Sequence, residues 1–334
     1  MTPLRILLAL PLLLWSLAAS AEPPALIVPL DCAVGSACFV QNYFDHDAGP
    51  GVADFTCAAR TYDGHDGTDI RARTLAEMEA GIAVLAAAPG VVIATRNDMD
   101  DINVNEIGME AVAGRNAGNA VRIDHGDGWF TTYAHMMKGS VTVRPGDTVA
   151  AGQQIGLMGL SGKTEFPHLH FAVQHDGVDV DPYTGEDAAY ACGAPRHPLW
   201  TADAEAEMAY VAGAVLSAGF AGGAADFKLA REGAYDGFAL TPQSEALVFW
   251  VEFFGLEAGD RVLLTLEVPG GAVEPVESDN LIERDRASEF RFAGRKRPDG
   301  GWPQGTYIGR ATLVRTVDGG AKVVAQVEKE LALP

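Results

Sequence analysis

The chain has 334 residues, of which 48% are hydrophobic and 21% charged, a composition that excludes wholesale disorder and fibrous structure. Its 24 basic and 45 acidic side chains give a formal net charge of −21. This charge argues against nucleic acid and anionic lipid as partners, because both require basic patches. The length exceeds that of one typical core, so we expect two domains.

The first 21 residues have the pattern of a secretory signal peptide. Arg5 supplies a positive charge, residues 6–18 form an apolar run, and Ala19-Ser20-Ala21 supplies the small residues of a cleavage site. The run is shorter than the about 20 residues of a transmembrane helix, and no second long run follows. We therefore predict cleavage, a mature chain with no transmembrane segment, and a periplasmic or secreted location. The sequence does not indicate an oligomeric state.

Export changes what the cysteines indicate, because an even number of cysteines in an exported protein favours disulfides. The chain has four cysteines, and none of their spacings is C-x-x-C. Four cysteines allow three pairings. On proximity in sequence alone, we favour a local Cys32–Cys38 bond and a long-range Cys57–Cys192 bond.

The first half of the mature chain reads as mostly β-structure. Residues 22–63 are rich in Pro, Gly, Asp and Cys, and we predict a loop-rich extension there. Small apolar and β-branched runs predict strands at 83–88, 91–95, 119–124, 129–135, 153–159 and 168–174. A short helix is predicted near Thr74–Ala80. Residues 97–118 have no clear period and many turn residues, and we interpret them as a long insertion. The predicted domain, an antiparallel β-sheet domain, spans 64–192.

The pattern of the sequence changes after Cys192. Residues 193–205 read as a linker, and residues 206–334 contain short runs that favour strands between Gly-rich turns. These runs lie at 246–254, 261–268, 289–292, 306–315 and 321–328. Short strands at this spacing are typical of an immunoglobulin-like β-sandwich. No catalytic constellation is visible in this half of the sequence, and we interpret it as a packing or stabilising module.

Three short motifs in the first predicted domain contain four of the eight histidines. GHDGTD (64–69) places His65 and Asp69 four residues apart, so both side chains point the same way in an extended segment. PHLHF (167–171) places His168 and His170 on one side of a strand. YAHM (133–136) places His135 at the end of another strand.

These side chains form a complete inventory for a catalytic metal site. His65, Asp69 and His170 offer two imidazoles and one carboxylate, a ligand set that suits Zn²⁺. Three protein ligands leave a fourth position open for water, which is typical of catalytic zinc. His135 and His168 would lie beside that water, where a neutral imidazole can accept a proton. Each motif alone is weak evidence, and the prediction depends on their occurrence together.

The other histidines have less specific contexts. His125 lies in the predicted hairpin turn at 125–128, where we expect it to stabilise the turn. His46, His175 and His197 lie in polar, loop-like segments and are predicted to be solvated.

The three motifs, in this order, resemble those of the lysostaphin-type zinc metallopeptidases, most of which are peptidoglycan endopeptidases. The resemblance covers about residues 60–185 and includes GHDGTDI, AAPGVVIAT, GNAVRIDHGDGWFTTYAHM, VRPGDTVAAGQQIGLMGLSGKT and PHLHFAV. It implies one zinc ion per chain, held by His65, Asp69 and His170. It also implies that His135 and His168 are the catalytic pair, in a β-rich fold with a groove across one sheet.

The resemblance predicts an exported zinc metalloendopeptidase that cuts peptide bonds in peptidoglycan stem peptides or cross-links through a zinc-activated water. His168 is our first choice as general base and His135 as the group that stabilises the oxyanion, although the two roles could be reversed. The alternatives are a non-catalytic wall-binding regulator of murein hydrolases and a secreted protease of proteins. We expect residues 97–118 to form one wall of the groove, so that their deletion widens the range of muropeptides cut.

Overall fold

The computed structural model describes residues 22–270 and 273–334, with backbone alone over 273–280. The predicted signal peptide, residues 1–21, lies outside the described residues. Within these ranges no helix is both long and apolar enough to cross a membrane. All pairs of named strands are antiparallel, and no described α-helix exceeds 6 residues. The mostly β, antiparallel class predicted from the sequence is therefore confirmed.

The first half of the chain is built on one large sheet, with strand order β1-β2-β9-β6-β5-β4-β7 and with β10 beside β9. Its strands are β1 (Cys38–Asn42), β2 (Thr68–Ala72), β4 (Gly90–Arg96), β5 (Asn119–Gly126), β6 (Trp129–Met136), β7 (Thr148–Val149), β9 (His168–His175) and β10 (Val178–Val180). A separate pair joins β3 (Ala83–Leu85) to β8 (Gln154–Leu157).

Alternation along β9 separates the core of this half from its polar face. Leu169, Phe171 and Val173 are fully buried in the main hydrophobic cluster. Successive side chains of a strand point to opposite faces of the sheet. His168 and His170 therefore lie on the face opposite this core, as the H-x-H spacing predicts.

The N-terminal extension contains a strand that the sequence analysis missed. β1 is buried along its whole length and forms the edge of the large sheet beside β2. The rest of residues 22–63 is mainly loop, as predicted. Both predicted disulfides are present, Cys32–Cys38 and Cys57–Cys192, so the pairing is confirmed. The first joins the preceding loop to β1, and the second joins the extension to the segment that follows β10.

One segment predicted as irregular contains short helices. The insertion at 97–118 includes α2 (Val104–Ile107) and a 3₁₀-helix (Met109–Val112). Met99, Val104 and Val112 form a small core of their own, which explains why this polar segment is ordered. The predicted helix near Thr74–Ala80 is confirmed as α1 (Leu75–Ala80), whose first turn is capped by the Thr74 hydroxyl.

The second half contains two sheets. One has the order β11-β12-β15 and the other β14-β13-β16-β17. The strands are β11 (Ala214–Ala221), β12 (Ala246–Leu256), β13 (Arg261–Glu267), β14 (Val273–Leu281), β15 (Arg286–Lys296), β16 (Gly305–Val317) and β17 (Gly320–Leu333), with helices α3 (Ala202–Glu207) and α4 (Phe227–Glu232). One apolar cluster joins side chains of both sheets, among them Phe249 and Leu313. The predicted linker thus contains part of a helix, while the domain limits and the immunoglobulin-like topology stay predictions.

Candidate metal centre and active site

Strand register brings the three histidine motifs to the middle of the large sheet. In the β2–β9 pair, Asp69 lies opposite His170 and Arg71 opposite His168. In the β6–β9 pair, Ala134 lies opposite His170, so the following residue, His135, reaches the same region. All five residues singled out by the sequence analysis are therefore close together in space.

Three potential ligand atoms converge on one point. The Nε2 atom of His65 lies 3.1 Å from Asp69 Oδ1 and 3.2 Å from His170 Nδ1, and the latter two atoms are 2.9 Å apart. These residues form a group whose ligand atoms all lie within 4.8 Å of one another. Two imidazole nitrogens and a carboxylate oxygen are the donors that zinc prefers, so the residues present fit such an ion.

Neighbouring groups orient each of the three side chains. The Nδ1 atom of His65 donates to the Tyr43 carbonyl at 2.6 Å, which leaves Nε2 facing the centre. The Asn42 amide donates to Asp69 Oδ2 at 2.8 Å, which leaves Oδ1 free for the centre. The Nε2 atom of His170 lies 3.2 Å from an Asp66 carboxylate oxygen, which turns Nδ1 inward. Partners of this kind fix the tautomer of a ligating histidine.

The charges of the cluster reinforce one another. Burial alone would raise the pKa of Asp69, but His65 and His168 hold that pKa well below its usual range. Burial alone would lower the pKa of His170, whereas the carboxylates of Asp66 and Asp69 raise it to about 10. Without a metal, His170 is therefore protonated at neutral pH, and a cation bound to its Nδ1 would displace a proton.

The other two histidines lie side by side, with ring centroids 4.7 Å apart. The Nδ1 atom of His135 donates to the Ser161 carbonyl at 2.7 Å. The Nδ1 atom of His168 lies 2.9 Å from the Phe166 carbonyl and 3.0 Å from the Thr164 hydroxyl. A neutral ring that donates from Nδ1 carries its lone pair on Nε2, so in its neutral form each ring offers a proton acceptor.

The site is mostly enclosed but open at one ligand. His65 and Asp69 are each 2% exposed and His168 is 4% exposed, whereas the side chain of His170 is 15% exposed. Burial, together with the nearby imidazoles of His168 and His170, holds the pKa of His135 well below its usual value, so His135 is neutral at pH 7. The arrangement combines a mostly buried cluster of candidate ligands, one solvent-exposed side and the neutral ring of His135.

Several residues that build this site carry no sequence signal. Tyr43 and Ser161 act through backbone carbonyls, which every residue type has. Asn42 and Thr164 act through side chains in a loop-rich segment and in a turn. Only their positions in the fold identify these partners.

One of the histidines predicted to be solvated is buried. The His46 side chain is 1% exposed, and its Nε2 atom lies 2.9 Å from the buried carboxylate of Asp181. That prediction was wrong because the partner lies 135 residues away in sequence. His197 is exposed, as predicted, and His125 contacts Pro89 and Thr131 at the hairpin.

An antiparallel sheet with two histidines and one carboxylate clustered on its polar face defines a candidate metal-dependent hydrolase domain. Residues 63–182 match the model of Peptidase family M23, so the chain contains an M23 peptidase domain. This match confirms the relation to lysostaphin-type metallopeptidases predicted from the motifs.

Individual relatives cover the same region. The chain is 36% identical over 117 residues to the peptidoglycan DD-endopeptidase ShyA of Vibrio cholerae, a match that covers 35% of this chain and 22% of that protein. It is 32% identical over 102 residues to the murein hydrolase activator NlpD of Escherichia coli K12, which covers 30% and 22%. The chain thus spans 22% of the length of each of these relatives. Among solved structures, the catalytic domain of lysostaphin from Staphylococcus simulans is 23% identical with a TM-score of 0.27, and the match covers 42% of this chain and 85% of that one.

Proposed function

We propose that this protein is an exported zinc metalloendopeptidase that hydrolyses peptide bonds in peptidoglycan stem peptides or cross-links. The observation that carries the proposal is the convergence of His65, Asp69 and His170 beside the imidazoles of His135 and His168. The similarity to a peptidoglycan DD-endopeptidase supports the choice of substrate. Murein peptides would enter from the exposed side of His170.

In this proposal His65, Asp69 and His170 hold one zinc ion through Nε2, Oδ1 and Nδ1. When bound, the ion would supply Lewis acidity for the scissile carbonyl and would lower the pKa of a nearby water toward about 7. Asn42 and Tyr43 keep the ligand atoms aimed at the centre before any ion arrives. This preorganisation lowers the cost of ordering the ligands.

His168 is the proposed general base. Its Nε2 atom lies 3.5 Å from Asp69 Oδ1, so a proton accepted there would form an imidazolium beside a carboxylate. That imidazolium can then give its proton to the leaving amine. Its ring stays in place because Nδ1 is held by Phe166 and Thr164.

His135 has a different role in this proposal from the one expected from the sequence. Stabilising an oxyanion by a hydrogen bond needs a proton on Nε2. However, the ring is neutral and its Nδ1 atom already donates to Ser161. We therefore assign His135 as the acceptor that orients the attacking water or the leaving amine through Nε2.

Export is also part of the proposal. Two disulfides in the described chain suit an oxidising compartment, such as the periplasm or the extracellular space. Together with the N-terminal signal sequence, they support a periplasmic or secreted enzyme. A non-enzymatic regulator is the second candidate, because the chain also resembles a murein hydrolase activator.

Mass spectrometry of purified peptidoglycan treated with the mature protein tests the proposal. New peptide ends that appear with zinc and disappear with a chelator would support the enzyme. Intact muropeptides after treatment with the zinc-loaded protein would overturn it. If sacculi instead became sensitive to a separately added amidase, the regulator would be favoured. Cleavage of casein but not of muropeptides would indicate a protease of proteins.

We also propose that residues 206–334 form an immunoglobulin-like sandwich that stabilises the chain. The support is the pair of antiparallel sheets with three and four strands and a shared apolar cluster. A fragment of these residues should unfold cooperatively on heating. A fragment with no thermal transition would contradict the proposal of an independent domain.

A further inference from the structure

The base of the 97–118 insertion is tied to two other chain segments by a single carboxylate. Asp101 Oδ2 accepts the backbone amide of Lys138 at 2.8 Å. Asp101 Oδ1 accepts the backbone amide of Leu160, also at 2.8 Å. A Cβ atom added at Gly159 would lie 2.5 Å from Asp101 Oδ1, so glycine leaves the room that this carboxylate occupies.

These two segments are the ones that hold His135. Lys138 follows His135 by three residues and lies just beyond β6, which ends at Met136. Leu160 precedes Ser161, whose carbonyl accepts the His135 Nδ1 proton. The Ser161 hydroxyl donates to the Met136 carbonyl at 2.7 Å, which links the two segments directly. Asp101 therefore joins the chain on either side of the His135 ring.

The other end of the insertion holds the backbone of His135. The amide of His135 donates to the Ala117 carbonyl at 2.9 Å. The next residue, Gly118, has φ +60°, and a Cβ atom there would lie 2.2 Å from the Ser161 carbonyl oxygen. The insertion thus returns to the same place from which it starts.

His135 needs this support because its own backbone is unfavourable. Its φ is +60°, in the left-handed region that residues other than glycine rarely adopt. Such a conformation persists only where the surrounding contacts impose it. Here the contacts come from Ala117 and Ser161, and the Ser161 segment is fixed by Asp101.

We propose that the insertion at 97–118 positions His135 and that Asp101 is the positioning residue. The proposal rests on the proposed catalytic role of His135. It also changes the expectation drawn from the sequence, because deletion of the insertion should then abolish turnover instead of widening the range of muropeptides cut.

Asp101→Ala and Asp101→Asn test this proposal against two matched controls. Asp100→Ala removes the neighbouring carboxylate, which is exposed and lies 2.5 Å from the Lys138 ammonium. Lys138→Ala removes that ammonium but keeps the amide that Asp101 accepts. Three quantities are measured for each variant: kcat and KM on a muropeptide, zinc per chain, and the His135 Nδ1–H resonance by ¹⁵N NMR.

Loss of both hydrogen bonds in Asp101→Ala should lower kcat about 10- to 100-fold, because small misplacements of a catalytic group have effects of this size. KM and zinc content should stay unchanged, and the protected Nδ1–H signal of His135 should be lost. Asp101→Asn keeps one acceptor oxygen and should be intermediate. Both controls should match the wild type in all three measurements.

An Asp101→Ala protein with wild-type kcat and an unchanged His135 resonance would overturn the proposal. The NMR measurement needs no turnover, so it tests the positioning even if the wild type proves to be inactive. A wild type that binds zinc but cuts no muropeptide would instead overturn the proposed function. If Asp101→Ala fails to fold, Asp101→Asn still decides the question through its kcat and its His135 signal.

Discussion

The two halves of the chain bury ionisable side chains in different ways. In the first half, the buried His65 and Asp69 and the partly exposed His170 bring three possible ligand atoms within 4.8 Å of one another. In the second half, the fully buried Asp260 accepts two hydrogen bonds of 2.8 Å from Arg315. Among the described residues, a group of three possible metal ligands occurs only in the first half.

This difference distinguishes a candidate ligand-binding site from an ion pair with a purely structural role. A buried carboxylate that already faces an arginine is neutralised within the protein and needs no further ligand. A buried carboxylate that faces several imidazoles can still share a cation with them, because carboxylate oxygens and imidazole nitrogens are both metal ligands. Buried charge alone therefore does not indicate function, and the nature of the partner decides.

The largest expected effects concern the proposed metal site and are confined to the first half of the chain. His170→Ala should abolish zinc binding and hydrolysis together, because it removes one of three ligands. His168→Ala should keep one zinc per chain and lose about 10²–10⁴ in turnover, the usual contribution of a general base. Metal analysis beside a muropeptide digest measures both properties. A fully active His168→Ala protein would refute the assignment of the base.

The disulfides should differ strongly in their contribution to stability. Cys57 and Cys192 are 135 residues apart, and closing a loop of that length restricts the unfolded chain by about 5 kcal/mol. Cys32 and Cys38 are 6 residues apart, which corresponds to about 2 kcal/mol. Paired Cys→Ser variants in urea titrations measure the difference. Equal losses from the two pairs would show that loop length does not govern their effect.

The buried ion pair of the second half should affect stability and nothing else. Arg315→Met leaves Asp260 buried without its partner and should lower the free energy of unfolding by about 3–5 kcal/mol. Zinc content and turnover of the folded protein should not change. Arg310→Met, at an exposed pair with Glu267 and Glu328, serves as the matched control and should have a much smaller effect. Loss of zinc from the Arg315→Met protein would show that the two halves do not respond independently to substitution.

The smallest expected effect concerns the net charge of −21. If the protein acts on an anionic wall as proposed, long-range attraction cannot bring so acidic a chain there, and short-range contacts must supply the binding. Raising salt from about 50 to 300 mM shortens the Debye length and should leave hydrolysis of sacculi unchanged or slightly faster. A steep fall in rate with salt would point to a basic docking surface instead.

The proximity of His65, Asp69, His135, His168 and His170 could be predicted because the motifs that contain them have short, regular spacings. H-x-H and H-x-x-x-D each place two side chains on one side of an extended segment. Strand pairing then brings the two motifs together. His46 could not be read in the same way, because its partner Asp181 is far along the chain. The carbonyls of Tyr43 and Ser161 have no sequence signature at all.

Strand prediction failed where the composition did not favour a strand. β1 follows a turn-rich, cysteine-containing segment, and it is a strand because β2 offers a free edge for pairing. β11 is rich in alanine and glycine, and its pairing with β12 places Gly219 beneath the Trp250 ring. Tertiary contacts override weak local preference in both cases.

The position of β1 determines which part of the chain is needed to keep the candidate metal site intact. The family match begins at residue 63, whereas β1 ends at Asn42. A fragment cut at the family boundary would keep the three proposed ligands yet lose the Asn42 amide and the Tyr43 carbonyl, which orient Asp69 and His65. The smallest fragment that keeps this alignment must include β1, and it therefore begins before Cys32, which is disulfide-bonded to Cys38 in β1. Grafting only the matched segment onto another protein would transfer the proposed ligands without their alignment.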